Sequence, residues 1–209
     1  MVNPSRPSRE DYYRVLADAL PKDSAVVTAL GNASYLWAAL RDAPENFYLE
    51  DAMGLALPLA LGLAVARPDR QFVVVEGDGG LLMHLGGLVT VAAVAPANLT
   101  VLLIDNGVHG ASGGQALASQ SIDIAGLARA SGLARAEQIE TTDAFRAALA
   151  VAFETDATTL LALGTAPDTE TAKPPFVLDP VATKRRFMEA IEAPQYVPTF
   201  FGGGMLEKP

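Results

Sequence analysis

Cysteine is absent from all 209 residues. That excludes disulfides, a thiol nucleophile and any iron–sulfur cluster held by thiolates, and it fits a reducing compartment. Basic residues are scarce as well: 15 Lys and Arg stand against 24 Asp and Glu, a formal net charge of −9. A phosphate backbone calls for a basic face, so nucleic acid is not the expected partner. An anionic ligand would need a metal ion or backbone N–H groups to offset this charge. No apolar run is long enough to span a bilayer; the longest, 54–66, is interrupted by Pro58. The polar opening, Met1 to Glu10, carries no secretory core. The expectation is a cytoplasmic chain that engages neither membrane nor nucleic acid. With 50% of its residues hydrophobic, it can bury one sizeable core.

What is present alternates. Strands are expected at 25–30, 46–50, 72–76, 99–104, 137–140 and 158–163. Between them lie helical patterns. Ser8, with Glu10 and Asp11 behind it, starts a helix that Pro21 stops. Asn32 or Ser34 is expected to cap a helix through Leu40. The segments 54–66 and 81–94 are apolar nearly all round, which predicts helices buried on several sides. Further helices are expected at 123–131 and 142–153. This alternation predicts an α/β fold: a doubly wound, mostly parallel sheet of about six strands. It occupies a domain over 1–164. The stretch 106–121, rich in Gly and Ser, reads as a loop. Residues 165–209 read as a linker, a helix from Asp179-Pro180 to about Glu192, and an irregular tail. Phe200, Phe201 and Met205 suggest that the tail packs on another surface. No internal repeat or low-complexity tract is present.

Two strand ends carry the chemistry. Val74-Val75-Glu76-Gly77-Asp78-Gly79-Gly80 and Leu102-Leu103-Ile104-Asp105-Asn106-Gly107 each run from apolar to Gly, Asp and Asn without transition. Asn106 follows Asp78 by 28 residues, about one strand–helix–strand unit. In a parallel sheet both ends share the carboxyl edge, where ligands of open α/β sheets bind. Gly77, Gly79 and Gly80 let a backbone approach an anion at a helix amino end. This is not the dinucleotide fingerprint, because Leu82 stands where Gly or Ala is needed. Asp78 offers a carboxylate, Asn106 an amide oxygen and Val108 a backbone carbonyl. Magnesium takes about six oxygens, and a diphosphate with water would complete the shell.

These residues resemble a family. Gly77-Asp78-Gly79 followed by the Asn106 turn is similar to the thiamine diphosphate motif, with Asp105 in place of the usual first Asn. Ala52-Met53-Gly54, Gly62-Leu63-Ala64, Leu81-Leu82-Met83-His84-Leu85-Gly86, Asn106-Gly107-Val108-His109 and Gly113-Gly114-Gln115 extend the likeness. Together they resemble the pyrophosphate-binding domain of phosphonopyruvate and sulfopyruvate decarboxylases, over roughly residues 25–163. The resemblance implies thiamine diphosphate and Mg2+ as cofactors. Asp78 and Asn106 would bind the metal through side chains and Val108 through its carbonyl. Gly77, Gly79 and Gly80 would cradle the diphosphate, Met53 would hold the cofactor bent, and the Asp51 carbonyl would accept from its aminopyrimidine. A small 2-oxo acid is the implied substrate, with His109 and His84 as acid–base candidates. Relatives also need a glutamate from a pyrimidine-binding domain. No stretch of this chain supplies one, so a partner subunit and a hetero-oligomer are expected.

Each residue also has an ordinary role open to it. Asp78 serves as a helix cap, Asn106 as a turn residue, Met53 as core filler and His84 as a buried, satisfied histidine. His109 and Gln115 lie in the glycine-rich loop, where function concentrates. Lys184, Arg185 and Arg186 read as a solvated helix face. The resembling decarboxylases carry Ser-Arg-Glu after the first strand, where this chain has Ser34-Tyr35-Leu36. That departure points to a more apolar acid, with Tyr35 and Trp37 beside it. Rival functions are a carboligase of the acetolactate type, an electron-passing oxidoreductase subunit, a non-catalytic cofactor-binding subunit, and a nucleotide-binding protein on a similar sheet.

Overall fold

The structure is a computed structural model and describes residues 6–117, 122–167 and 179–192. Helix α1 (Arg9–Ala19) starts on a reciprocal cap: the Ser8 hydroxyl accepts from the Asp11 N–H, and the Asp11 carboxylate accepts from the Ser8 N–H. Strand β1 (Ala25–Thr28) follows, then α2 (Asn32–Arg41), β2 (Asn46–Tyr48), α3 (Ala56–Ala66) and β3 (Phe72–Gly77). Next come α4 (Asp78–Met83), α5 (Gly86–Val94), β4 (Leu99–Asp105), the short strands β5 (Val108–His109) and β6 (Gln115–Ala116), and α6 (Ile124–Ala130). The fold ends with β7 (Arg135–Ile139), α7 (Thr142–Glu154), β8 (Thr159–Gly164) and α8 (Pro180–Ala190).

Six strands form one wholly parallel sheet in the order β2-β1-β3-β4-β8-β7. Each central strand alternates between two cores. Phe72, Val74, Leu99, Val101, Leu103, Leu160 and Ala162 face one layer, with α3, α5, α6 and α8. Val73, Val75, Leu102, Ile104, Leu161 and Leu163 face the other, with α1, α2 and α7. Helices on both faces make the sheet doubly wound, as the alternation requires. The chain leaves β1 first for one side of the sheet, to β2, and later for the other, to β3. The crevice for a ligand therefore lies beyond the carboxyl ends of β1 and β3.

Several local expectations are corrected. Neither Asn32 nor Ser34 caps α2; the cap is Gly31, whose φ of 68° only glycine adopts without strain. Ser34 is buried instead and donates to the Ala29 carbonyl while pairing with the Thr28 hydroxyl. The segment 81–94 is not one helix but two, broken at His84 and Leu85. The expected loop 106–121 contains the β5–β6 hairpin and a 3-10 turn at Gly110–Ser112; its residues 118–121 lie outside the described residues. So do most of the expected linker and the tail with Phe200, Phe201 and Met205. The apolar helices α3 and α5 bury one side only: Val65 and Val89 are 55% and 56% exposed. Among the described residues no helix is long and apolar enough to cross a membrane.

Helix α8 returns to the domain. Phe187 packs edge-on against Phe47 with ring centroids 5.2 Å apart, and both Phe187 and Ile191 enter the core. Arg186 is half-buried and forks onto Asp42 at 2.7 and 2.9 Å, while Lys184 and Arg185 are exposed. Burial alone would raise the Asp42 carboxyl; hydrogen bonds from Arg186 and Tyr48 outweigh it and hold the group below its ordinary value. A depressed carboxylate stabilises the fold above its unfolded pKa, and that contribution is lost as pH falls through the folded value. Asp42→Asn is therefore expected to lower unfolding free energy by up to about 1 kcal/mol at pH 7, with the gap to the parent closing in acid, as read by urea unfolding at several pH values.

Candidate functional site

The register of β3 on β4 builds the site. Gly77 pairs with Ile104, so the residues that follow, Asp78 on one strand end and Asp105-Asn106 on the next, emerge side by side. Asp78 then joins the two turns. One carboxylate oxygen accepts from the Gly79 N–H and the other from the Gly107 N–H, both at 2.8 Å. Asn106 folds its amide oxygen back onto the Val108 N–H at 3.0 Å. Asp78 and Asn106 are each only 4% exposed. Burial pushes the Asp78 carboxyl up to about 6, although both N–H donors pull it down and Arg9 assists them. The acid is thus undercompensated for its burial, a state that a nearby cation would relieve.

A cleft opens above these turns. It is lined by Ala29, Leu30, Asn32 and Ala33 after β1, by Met53, by Glu76 through Gly80, and by Asn106, Val108, His109 and Gly110. Arg9 at the start of α1 completes the wall. The glycines are needed for space. A Cβ on Gly79 would come within 2.6 Å of the His109 ring. One on Gly80 would strike the Glu76 carboxylate. The turn therefore presents bare backbone to the cleft at the opening of α4. Among the described residues no three His, Asp or Glu side chains converge. A cation here would be held by the Asp78 carboxylate, amide and carbonyl oxygens, and oxygens of its ligand, which is a donor set for a hard ion.

The other expected residues are distributed unevenly. Met53 lines the cleft and is 37% exposed, so it is not core filler. His109 lines it on the hairpin β5–β6, packed on Gly79. Asp51 lies outside the lining, exposed, with a left-handed backbone at φ 51°. His84 is exposed at the break between α4 and α5, beside Gly54 and Gly87, and does not line the cleft. Gln115 is occupied at the hairpin tip, donating to the Ser112 carbonyl and accepting from its hydroxyl. Asp105 does not line the cleft either; its carboxylate accepts from Gln138. Trp37 is fully buried against Tyr13, with centroids 5.7 Å apart, and neither it nor Tyr35 reaches the cleft. That removes the support they offered for an apolar substrate.

Two participants were not anticipated, Arg9 and Glu76. Glu76 is 2% exposed at the end of an otherwise apolar strand. It accepts from the N–H groups of Gly77 and Ala56, which ties the Gly77–Gly80 turn to the start of α3, just past Met53. Its second oxygen has no partner among the described residues. A lone charge closing Val73-Val74-Val75 was the available signal.

Comparison with known proteins agrees with this geometry. The family profile described as "Thiamine pyrophosphate enzyme, C-terminal TPP binding domain" matches residues 30–163. This chain belongs to the thiamine pyrophosphate enzyme family. Phosphonopyruvate decarboxylase of Streptomyces viridochromogenes is 38% identical over 190 residues, 91% of this chain and 48% of that protein. Sulfopyruvate decarboxylase subunit beta of Methanocaldococcus jannaschii is 29% identical over 89% of this chain and 98% of that subunit. The solved Rhodococcus jostii thiamine diphosphate-dependent 4-hydroxybenzoylformate decarboxylase shares the fold, with TM-score 0.70 and 22% identity over 81% of this chain and 34% of that one. The cofactor-binding domain described here spans about half the length of the phosphonopyruvate decarboxylases it matches.

Burial also raises Glu76, from its ordinary value of 4.5 to about 7, against the pull of the Gly77 and Ala56 N–H groups. An acid that holds its proton more tightly when folded stabilises the fold most below its unfolded pKa. That advantage declines as pH rises to the folded value and then stays lost. In the cofactor-free chain, Glu76→Gln is expected to gain on its parent by about 3 kcal/mol between pH 4.5 and 7.5, as measured by urea unfolding. A difference that stays flat with pH would contradict the burial reading.

Proposed function

We propose that this chain is the diphosphate-binding half of a thiamine diphosphate-dependent 2-oxo acid decarboxylase, completed by a pyrimidine-binding partner subunit. The observation that carries the reading is the pair Asp78 and Asn106, buried side by side and fastened through the Gly107 N–H. The site fits the cofactor on two counts. Its donor set suits magnesium, with Asp78 and Asn106 as side-chain ligands and Val108 as a carbonyl ligand. Its glycine turn presents backbone without side chains to the cleft at the opening of α4, where a Cβ at 79 or 80 would collide with His109 or Glu76. Gly77, Gly79 and Gly80 line the diphosphate cradle, and Met53 holds the cofactor from below. Bound there, thiamine diphosphate supplies a thiazolium carbon that accepts the electron pair left when a 2-oxo acid loses carbon dioxide. His109, on the cleft wall, is placed to hold the substrate's second anion or to move a proton. His84 and Asp51 lie outside the cleft lining and carry no role in this reading. A cytoplasmic location belongs to the same reading.

The substrate class follows the relatives named for phosphonopyruvate and sulfopyruvate: a 2-oxo acid bearing a second anion. The partner is supported by the surface. Met53, Leu55, Met83, Leu85 and Val89 are all exposed around α3, α4 and α5, where a lone domain would carry polar residues. Relatives named as subunit beta, two of them matched over 98% of their own length, support a partner subunit.

The test is to purify the chain with whatever it binds in its own cells, add thiamine diphosphate and Mg2+, and follow carbon dioxide release from phosphonopyruvate, sulfopyruvate, pyruvate and benzoylformate. Release from the two dianionic acids is expected to be fastest, and Asp78→Ala should cut it more than about 100-fold, since groups one sphere further out already cost 10–100-fold. Unchanged turnover in Asp78→Ala would sink the reading, and a condensation product of two oxo acids, formed with one carbon dioxide released per product, would favour a carboligase. Val89→Glu should abolish co-purification of the partner while altering the unfolding free energy of the isolated chain by no more than about 0.5 kcal/mol.

A further inference from the structure

The side chain of Glu76 reaches two segments that line different parts of the cleft. Its backbone is fixed in the middle of the sheet, in register with Leu103 of β4. Its carboxylate accepts from the Gly77 N–H at 3.0 Å, at the head of the glycine turn, and from the Ala56 N–H, at the first residue of α3. Helix α3 has no side-chain cap of its own: Leu55 stands at the cap position, and the first turn carries no acid. The orphan N–H groups of a helix start are ordinarily met by the cap residue's own side chain. Here an oxygen from a different strand meets one of them. Met53 lies three residues before Ala56 and lines the cleft, as do Gly77, Gly79 and Gly80. The two segments also touch without slack. A Cβ on Gly54 would sit 2.6 Å from the Gly80 carbonyl oxygen, and one on Gly80 would strike the Glu76 carboxylate. Their spacing is thus limited from below by backbone contact and held closed by one side chain.

We propose that Glu76 is a positioning residue for the cofactor: by tying the Met53 loop to the glycine turn, it fixes the spacing between the part of the site that takes the diphosphate and the part that takes the rings. This rests on the assignment of thiamine diphosphate to the cleft. Glu76 need not touch the cofactor to do so. A ligand that fills only the diphosphate cradle is indifferent to the tie, whereas one that spans both parts depends on it. What the tie requires is a hydrogen-bond acceptor of the right length. An amide of equal length serves, and a shorter one does not.

Calorimetric titration tests it, on the complex purified from its own cells and stripped of cofactor. In excess Mg2+ the ligands are thiamine diphosphate and, separately, inorganic pyrophosphate. Parent, Glu76→Gln and Glu76→Asn are compared. Glu76→Asn, one methylene shorter, is expected to weaken thiamine diphosphate about 10–100-fold while leaving pyrophosphate binding unchanged. Glu76→Gln is expected to keep the parent's ratio of the two affinities. If Glu76→Asn weakens both ligands equally, or neither, Glu76 serves the turn or the fold at large and the proposal fails. A selective loss in Glu76→Gln overturns it as well, because charge rather than the tie would then be what matters. Should Glu76→Asn not fold, Glu76→Met, which fills the space without an acceptor, must show the same selective loss or the proposal fails. A parent that binds pyrophosphate as tightly as thiamine diphosphate also overturns it, since nothing would then depend on the spacing. A parent complex that binds neither ligand would instead overturn the cofactor assignment itself.

Discussion

The carboxylate of Asp78 holds the working end of this molecule together. Its two hydrogen bonds, to Gly79 in its own turn and to Gly107 in the neighbouring one, are the direct tie between the ends of β3 and β4. Neutral N–H donors compensate a buried charge only in part, and the raised pKa of the acid records the shortfall. Under the proposed function, a cation held by this acid and by its equally buried neighbour Asn106 would complete the balance. The tie and the ligand set are thus one arrangement, since the bond that fixes the turns also points both donors at the same edge.

Around that tie, close approach replaces side-chain bulk. Gly54, with φ 80°, lies so near the Gly80 carbonyl that a Cβ would sit 2.6 Å from it. Glu76 fills the space beneath Gly80 and accepts N–H groups from both Gly77 and Ala56. The loop that carries Met53 and the turn that carries Asp78 are therefore packed backbone to backbone through one carboxylate. Rigid coupling of this kind sets the distance between the two ends of a ligand lying across the cleft. The parallel sheet supplies the frame, and these few contacts supply the precision.

How much of this the sequence disclosed depends on the range of the interaction. Strands whose two faces are both buried read as unbroken apolar runs, as in β3, β4 and β8, whereas the edge strand β7, Arg135–Ile139, is polar on its exposed positions. Asp78 and Asn106 were legible because glycine and acid at the end of such a run have few alternative uses. Contacts between distant segments were not. The break at His84 and Leu85 falls inside an apolar stretch with no proline to mark it. Strands of two residues, as in β5 and β6, are too short to show alternation. Arg9 looked like an ordinary first-turn residue, because its neighbours in the cleft lie far along the chain. Trp37 is the converse case. Proximity to a variable turn suggested a binding role, whereas its packing on Tyr13 makes it core.

One misreading is informative in itself. Helices α3 and α5 are composed as if surrounded by apolar neighbours, yet in the chain alone each leaves a side open, including Val65, Val89 and Val94. Composition answers to the burial a segment has in its working assembly, not in one polypeptide taken singly. The mismatch between an all-apolar helix and a half-exposed one thus measures what the single chain lacks. The exposed side includes Met53, Leu55, Met83 and Leu85, which continue to the rim of the cleft where Met53 is part of the lining. Under the proposed function, a partner that covered these helices would also reach the cleft, because Met53 belongs both to the exposed apolar residues and to the cleft lining.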